Sequence, residues 1–296
     1  TGASGHVGTH MRRELAGRYR LVLSDRRPIT KLAKGEKFIR AELSKRADAL
    51  KITKGVDAIL HLGGYSVEGP WEPILQANII GCYNLYEAAR RNGVQRFLFA
   101  SSNHAAGFYR RDQVIDHRVY PKPDGRYGVS KVFGEALGSL YADKYGMAVF
   151  CMRIGNLNAA PLDKRRLSIL LTPRDMAQLV VIGIEHPAIR FEIVYGVSGN
   201  QRSWYDNSNA VRLGYRPLDD AESFAAEVLA KEKPGDPVAE QFQGGVFCVA
   251  EDVPNPAATP RATAGTAGRR LRRGAGRPRG ARASSGARGR GRSRAR

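Results

Sequence analysis

A tyrosine and a lysine four residues apart, in Tyr127-Gly128-Val129-Ser130-Lys131, are the residues whose spacing points most directly to chemistry. On a helix this spacing places both side chains on one face. A phenol ordinarily keeps its proton at neutral pH, and an ammonium held beside it stabilises the phenolate. The pair can therefore exchange a proton with a hydroxyl or carbonyl substrate. The motif is short, and it becomes specific only together with a glycine-rich loop and a serine upstream.

Such a glycine-rich loop opens the chain. Gly2, Gly5 and Gly8 follow the spacing Gly-x-x-Gly-x-x-Gly, and a helical stretch from His10 to Ala16 comes next. Glycines in this pattern allow a tight turn and a close approach of the backbone to a pyrophosphate, whose charge lies at the helix N-terminus. The loop therefore predicts a dinucleotide site.

The nature of that dinucleotide depends on Asp25, which ends the next predicted strand about 20 residues after the loop. A carboxylate at this point can bind both ribose hydroxyls of NAD and repel the phosphate of NADP. Arg26 and Arg27 follow directly, and arginine can accommodate that phosphate. The pattern favours NAD and leaves NADP open.

The elements that must position these residues alternate between short apolar runs and amphipathic helical stretches. A parallel sheet with crossover helices has this pattern, so we predict an α/β Rossmann-type doubly wound fold. The glycine loop normally follows a strand and none precedes Thr1, so the first, central strand is expected to be missing. The predicted strands are 20–25, 56–62, 95–100, 148–153 and 191–195, and the predicted helices include 71–92 and 129–145.

Several polar residues follow the predicted strands at their carboxyl ends, where open parallel sheets bind ligands. Gly63-Gly64 ends the strand 56–62, and Ser101-Ser102-Asn103-His104 follows the strand 95–100. Asn78 falls inside the helix 71–92, where asparagine is unfavourable unless it packs or hydrogen-bonds. A serine hydrolase is set aside, because the chain has no Gly-x-Ser-x-Gly elbow.

The formal charge of +20 is concentrated at the C-terminal end. From residue 257 onward there are thirteen arginines and no acidic residue, which leaves 35 basic against 28 acidic residues and about +7 for residues 1–256. We predict a domain over 1–254, with a small substrate-binding part from about 155, and a disordered basic low-complexity tail over 255–296. The tail lacks aromatic residues for base stacking, which disfavours nucleic acid as a partner.

The composition also bears on environment and metals. Cys82, Cys151 and Cys248 are isolated, which predicts neither a disulfide framework nor a zinc site, and no metal is expected. No apolar run approaches the roughly 20 residues of a membrane span. We expect a cytoplasmic protein with a small-molecule substrate and no membrane partner, and a homo-oligomer stays open.

With these residues assembled, residues 1–250 resemble the extended short-chain dehydrogenase/reductase superfamily, in its NAD-dependent epimerase/dehydratase branch. Within that branch they are most similar to the uronate dehydrogenases. The narrower motifs are the serine-asparagine-histidine run at 101–104, an arginine after Gly155, and a Phe-Gln-Gly-Gly ending. The resemblance rests on residues 61–64, 66–68, 78–90, 100–104, 127–131, 153–155, 165–168, 204–208 and 242–245.

The resemblance implies oxidation of the anomeric carbon of a hexuronic acid such as glucuronate or galacturonate, giving an aldarolactone and NADH. The catalytic residues it implies are Tyr127, Lys131 and Ser102. It implies that the substrate is bound by Ser66, Ser102, Asn103, His104, Asn156 and Arg165. The cofactor site it implies comprises Gly2, Gly5, His6, Val7, Gly8, Asp25, Glu42, Leu43, Leu62, Gly63, Gly64, Asn78, Ser101, Tyr127 and Lys131.

Two positions depart from the family pattern, and two other functions stay open. Asn156 stands where the family tends to have a substrate-binding serine, and Glu42 where it tends to have an aspartate near the adenine. Without the resemblance, Arg165 is interpreted as a solvated base.

Two alternative functions stay open. One is a sugar-nucleotide epimerase or dehydratase, which uses the same Tyr/Lys pair and returns the hydride. The other is a non-catalytic dinucleotide sensor.

Overall fold

Parallel strands connected by helices make up the computed structural model, which describes residues 1–250. The predicted disordered tail over 255–296 lies outside the described residues. In the described part of the chain, no helix has the length and apolar character needed to cross a membrane.

Eight strands occur in the described chain. The five predicted strands appear at the expected places, each shifted at its ends by up to two residues. The strands are β1 (Leu21–Asp25), β2 (Glu36–Arg40), β3 (Ala58–His61), β4 (Arg96–Ser102), β5 (Ala148–Ile154), β6 (Asn156–Leu157), β7 (Leu170–Leu171) and β8 (Phe191–Gly196).

Helices cover both faces of the sheets. The α-helices are α1 (His6–Glu14), α2 (Arg46–Ile52), α3 (Trp71–Ile74), α4 (Gly81–Arg91), α5 (Arg126–Tyr145), α6 (Arg166–Ile169), α7 (Pro173–Glu185), α8 (Ser208–Arg212) and α9 (Ala225–Ala230). A π-helical segment spans Leu75–Ile80, and 3₁₀ turns span Asn103–Ala106, Ala221–Phe224 and Gly245–Cys248. The predicted single helix over 71–92 is therefore interrupted by a π segment.

All paired strands of the described region run parallel. The main sheet has the order β3-β4-β5-β8, and β1-β2 and β6-β7 form two smaller sheets. In the pairing of β4 with β5, Ser102 lies opposite Ile154, so the polar run after β4 and the segment after β5 leave the sheet at the same edge. This parallel α/β arrangement confirms the predicted fold class.

The alternation of side chains along β4 and β5 builds two hydrophobic layers. Leu98 and Phe150 face the layer that includes α1 and α7, whereas Phe97, Phe99 and Val149 face the layer that includes α4 and α5. All five side chains are at most 3% exposed. Burying each is worth about 1.5–3 kcal/mol, so the central strands are the most firmly held part of the fold.

A gap separates β1 from β3, which are not hydrogen-bonded to each other. Thr1 and Ala3 bridge only its carboxyl end: the Thr1 nitrogen lies 2.9 Å from the Leu60 oxygen, and the Ala3 nitrogen 3.2 Å from the Ser24 oxygen. Below them lies a cavity of about 560 Å³ lined by both strands. The predicted first strand would lie in this gap, and that the chain lacks it stays a prediction.

We expect that adding about five apolar, β-prone residues ahead of Thr1 raises the melting temperature. Burying two aliphatic side chains in the gap is worth several kcal/mol, which corresponds to an increase of roughly 5 °C or more. Circular dichroism measures the change. The control is an extension of equal length made of glycine and serine, and equal melting temperatures for the two extensions would contradict the expectation.

Candidate active site

Helix α5 presents its catalytic candidates to the sheet on one face. Tyr127, Lys131 and Glu135 follow each other at four-residue intervals, and all three are buried. Lys131 Nζ donates to the Ala100 carbonyl of β4 at 2.8 Å, and it lies 5.4 Å from the centre of the Tyr127 ring. The structure therefore brings the predicted tyrosine and lysine together at the carboxyl edge of the sheet.

The first turn of α5 is capped by a residue from a distant loop. The Glu68 carboxylate accepts the backbone N–H groups of Arg126 at 3.1 Å and Tyr127 at 2.9 Å. A negative charge at a helix N-terminus is favourable, and the two acceptor oxygens satisfy donors that have no partner within the helix. Glu68 thereby fixes the end of the helix that carries Tyr127.

The two serines that follow one another in β4 have different partners. Ser101 Oγ donates to the buried Glu135 carboxylate at 2.6 Å. Ser102 is buried, and its Oγ accepts the N–H of His104 at 3.2 Å. Both residues line the cavity beside Tyr127. Ser102 is thus the serine whose hydroxyl is not committed to a carboxylate.

These side chains surround a cavity of about 480 Å³ at the carboxyl edge of the sheet. Its volume suits a small ligand together with part of a cofactor. Among the predicted substrate-binding residues, Asn103 alone does not line this cavity, although Ser102 and His104 on either side of it do. The predicted residues that line it are Val7, Leu62, Gly64, Ser66, Ser101, Ser102, His104, Tyr127, Lys131, Asn156 and Arg165.

Arg165 lies at this cavity without a carboxylate partner in the part of the chain that the structure describes. Its Nε donates to the Gln243 carbonyl at 2.8 Å, and Asn103, in the amide orientation that satisfies both of its side-chain atoms, accepts from the other end of the guanidinium at 2.9 Å. Burial lowers the pKa of Arg165 from its ordinary value. An arginine stays charged even so, and the cavity therefore holds a cation that forms no direct ion pair within the described chain.

The glycine loop has room for backbone only. Gly2 has a φ of 68°, and a Cβ there would lie 2.6 Å from the Gly63 nitrogen. A Cβ at Gly8 would collide with the Gly2 carbonyl. Gly5 precedes α1, and no side chain caps that helix end. The first N–H groups of this helix have no side-chain acceptor, and their role in holding a pyrophosphate stays a prediction.

Asp25, at the end of β1, faces this loop. Its carboxylate accepts the backbone N–H of Ser4 at 3.1 Å and of Arg27 at 3.0 Å. Burial raises the pKa of Asp25, but the hydrogen bonds from Arg27 and Ser4 outweigh it and lower the pKa below its ordinary value. The group is therefore ionised at neutral pH. The Arg26 guanidinium lies 3.5 Å from the Glu42 carboxylate.

Asn78 joins three segments from within the π-helical stretch. Its oxygen accepts the Tyr65 N–H at 2.7 Å, and its nitrogen donates to the Tyr65 carbonyl and to Ser130 Oγ, both at 2.9 Å. A Cβ on Gly64 would lie 2.8 Å from this amide oxygen. Asn78 therefore fixes the loop after β3 against α5, and its contact with a cofactor stays a prediction.

Five further predicted residues lie nearby. His6 Nε2 lies 2.9 Å from the Leu157 carbonyl, which connects α1 to β6. The Asn156 side chain accepts from Asn158 at 2.9 Å at the cavity wall. Leu43 packs near Gly81 at the start of α4, and Gly63 lies against Gly2. Their roles, like that of Glu42, stay predictions.

Sequence reasoning missed three residues that shape the cavity. Glu68 and Asp124 carry no local motif, because their partners are more than fifteen residues away. Phe247 stacks on His104 with ring centres 3.9 Å apart, and only the neighbouring Phe-Gln-Gly-Gly run hinted at that segment. No cluster of three or more His, Cys, Asp or Glu side chains able to hold a metal occurs in residues 1–250.

A parallel sheet with a glycine loop at its carboxyl edge and a tyrosine–lysine pair beside it defines a Rossmann-type oxidoreductase. The sequence profile of the NAD dependent epimerase/dehydratase family matches residues 1–219. The chain belongs to that family, which confirms the resemblance seen in the sequence.

Characterised proteins in this family are close in sequence and structure. Uronate dehydrogenase of Pseudomonas putida KT2440 is 42% identical over 253 residues, covering 84% of this chain and 94% of that protein. Glucuronic acid dehydrogenase of Chromohalobacter salexigens superposes with a TM-score of 0.82 at 40% identity, covering 85% and 96%. A point mutant of uronate dehydrogenase from Agrobacterium tumefaciens, complexed with NAD, superposes with a TM-score of 0.81 at 39% identity, covering 84% and 96%.

Proposed function

We propose that this protein is an NAD-dependent dehydrogenase that oxidises the anomeric carbon of a hexuronic acid, such as glucuronate or galacturonate, to the aldarolactone. The similarity to dehydrogenases named for uronate and glucuronic acid supports this activity. The observation in this chain that carries the proposal is Arg165, a half-buried cation without a carboxylate partner in the described chain, at the cavity that Tyr127 and Ser102 line.

A uronate carboxylate is the group that best completes this environment. A buried charge is unfavourable unless an opposite charge or several hydrogen bonds stabilise it. Arg165 holds only two neutral acceptors, from Gln243 and Asn103. A planar carboxylate matches the remaining N–H groups of the guanidinium. A neutral sugar would leave the cation without an anion.

Each residue of the cavity then has its own role in the proposed reaction. Tyr127 accepts the proton of the anomeric hydroxyl, and Ser102 hydrogen-bonds the same oxygen. The Lys131 ammonium, held on the Ala100 carbonyl, stabilises the phenolate as the proton moves. NAD, when bound, supplies the hydride acceptor. Ser66, His104 and Asn156 line the cavity where they can orient the sugar ring.

The cofactor side fits NAD. The loop of Gly2, Gly5 and Gly8 offers backbone N–H groups to a pyrophosphate, and the ionised Asp25 can accept hydroxyl hydrogens of a ribose. The same charge repels a ribose phosphate. Arg27 donates to the Ser4 carbonyl at 3.2 Å, so it is partly committed within the protein. The substrate-binding part from about residue 155 and a homo-oligomeric state stay predictions.

The first test is oxidation of a panel of uronic acids, neutral hexoses and sugar nucleotides with NAD, followed by NADH absorbance. We expect turnover of uronates, and Tyr127→Phe should reduce kcat by at least about 10³-fold with little change in NAD affinity, because only the proton acceptor is lost. Turnover of sugar nucleotides without turnover of any uronate would favour the epimerase alternative instead.

Replacing Arg165 by alanine should raise the KM for uronates by about 10- to 100-fold, because a charge-assisted hydrogen bond is worth about 1.5–3 kcal/mol. Any residual activity on neutral hexoses should change much less. Lys164→Ala is the matched control, since it removes the same charge from an exposed neighbour. An unchanged KM in Arg165→Ala would exclude this residue from the substrate site.

Replacing Asp25 by alanine should weaken NAD binding by about tenfold or more and raise the relative use of NADP, because the ribose acceptor and the charge that repels phosphate disappear together. Steady-state kinetics with both cofactors measures the preference. Asp112→Ala, which removes an exposed carboxylate paired with Arg110 outside the predicted cofactor site, serves as the control. An unaltered NAD-to-NADP ratio in Asp25→Ala would argue against the role of this residue.

A further inference from the structure

A buried carboxylate beside His104 has no part in the chemistry described above. Asp124 Oδ2 lies 2.6 Å from His104 Nδ1, and the Asp124 side chain has no exposed surface. The backbone N–H of Asp124 also donates to the His104 carbonyl at 3.3 Å. The two residues are therefore joined both by side chain and by backbone.

Two glycines make the space that this carboxylate fills. A Cβ placed on Gly107 or on Gly244 would collide with Asp124 Oδ2. The other oxygen, Oδ1, is buried without a hydrogen-bond partner among residues 1–250. Such a group costs about 1–3 kcal/mol, so Asp124 is not explained by stability alone.

Three neighbouring side chains fix the orientation of the His104 ring. It stacks on Phe247, with ring centres 3.9 Å apart, and meets Tyr127 edge-on at 5.9 Å. The Asp124 carboxylate forms a hydrogen bond with Nδ1 of the ring. The ring lines the cavity, and in the described chain no group hydrogen-bonds its second nitrogen, Nε2. Nε2 is therefore the atom that His104 can offer to a ligand.

Asp124 determines whether His104 Nε2 carries a hydrogen. An ionised carboxylate only accepts hydrogen bonds, so the hydrogen of a neutral imidazole belongs on Nδ1. Burial lowers the pKa of His104; Asp124 and the nearby Glu68 raise it, and Arg165 lowers it, with a net decrease from the ordinary value. At neutral pH the ring is neutral, and Nε2 carries a lone pair.

We propose that Asp124 is a positioning residue that holds His104 in the tautomer whose Nε2 accepts a hydrogen bond from one ring hydroxyl of the sugar acid. That hydroxyl is then a determinant of substrate specificity. A tautomer with hydrogen on Nε2 would reverse this hydrogen bond and leave the hydrogen of the hydroxyl without its acceptor, which weakens the discrimination. The specificity role rests on the proposed function, whereas the tautomer itself does not.

The tautomer can be measured without turnover. The ¹⁵N chemical shifts of His104 in the ligand-free protein should show a protonated Nδ1 and an unprotonated Nε2. In Asp124→Asn the amide can donate to Nδ1, so the Nε2–H form should become populated. Asp116→Asn, the same change at a residue that does not line the cavity, should leave the spectrum unaltered. A protonated Nε2 in the unmodified protein would overturn the proposal.

Specificity is tested with uronates that each lack one ring hydroxyl, at C2, C3 or C4. With the unmodified protein, one of the three deoxy substrates should lose about tenfold or more in kcat/KM, as expected for one lost hydrogen bond. In Asp124→Asn this difference should fall to about two- to threefold. Equal losses for all substrates, with the discrimination intact, would reduce Asp124 to a structural role and overturn the proposal.

A double-mutant cycle separates positioning from folding. His104→Asn keeps a polar group near the place of Nδ1 and lacks Nε2, so adding Asp124→Asn to it should cause little further loss of kcat/KM. A merely structural Asp124 would cause the same loss in both backgrounds, which would contradict the proposal. Absence of uronate oxidation by the unmodified protein would instead refute the proposed function, with the tautomer measurement unaffected.

Discussion

The buried ion pair between Glu135 and Arg153 fixes the geometry on which the active site depends. Two nitrogens of Arg153 donate to the two oxygens of Glu135, each at 2.9 Å, and Ser101 adds a third hydrogen bond at 2.6 Å. Removing one partner of such a pair typically costs about 3–5 kcal/mol. The pair joins α5 to β5, and Ser101 adds β4. The helix therefore cannot slide along the sheet, and Tyr127 and Lys131 stay above the strand that carries Ser102.

Two arginines of the same region show how surroundings decide the role of one residue type. Arg153 is 2% exposed and faces a carboxylate inside the protein, so its charge is neutralised and its contribution is structural. Arg165 is packed against Gly245, which has a φ of 64°, and faces carbonyl and amide oxygens only. No carboxylate of the described chain pairs with that charge, which supports the proposed role of Arg165 in binding a uronate carboxylate. Charge compensation within the fold thus distinguishes the structural arginine from the one proposed to bind substrate.

The sequence predicted the parts of this architecture that have a local signal. Apolar runs located the central strands, and spacing located the glycine loop and the tyrosine–lysine face of α5. Strand β2 (Glu36–Arg40) was missed because an edge strand with three charged residues lacks an apolar run. The π segment around Asn78 was missed because the sequence carries no local signal for it, and the Asn78 amide binds Tyr65 and Ser130, which lie far apart in the chain. The roles of Glu68 and Asp124 were not predicted for the same reason, since only folding brings their partners to them.

The two halves of the site differ in how firmly the fold supports them. The proposed catalytic half stands on β4 and β5, each of which pairs with a strand on both sides and is covered on both faces. The proposed cofactor half stands on β1 and β2, which do not pair with the main sheet and whose backbone hydrogen bonds toward it run through Thr1 and Ala3 of the glycine loop. Arg12 connects α1 to Glu36 of β2 at 2.6 Å, which stabilises this half from outside the sheet. Local opening starts where buried contacts are fewest. The loop and Asp25 would therefore lose their geometry before Tyr127, Lys131 and Ser102 lose theirs, and cofactor binding is the step most sensitive to the gap between β1 and β3.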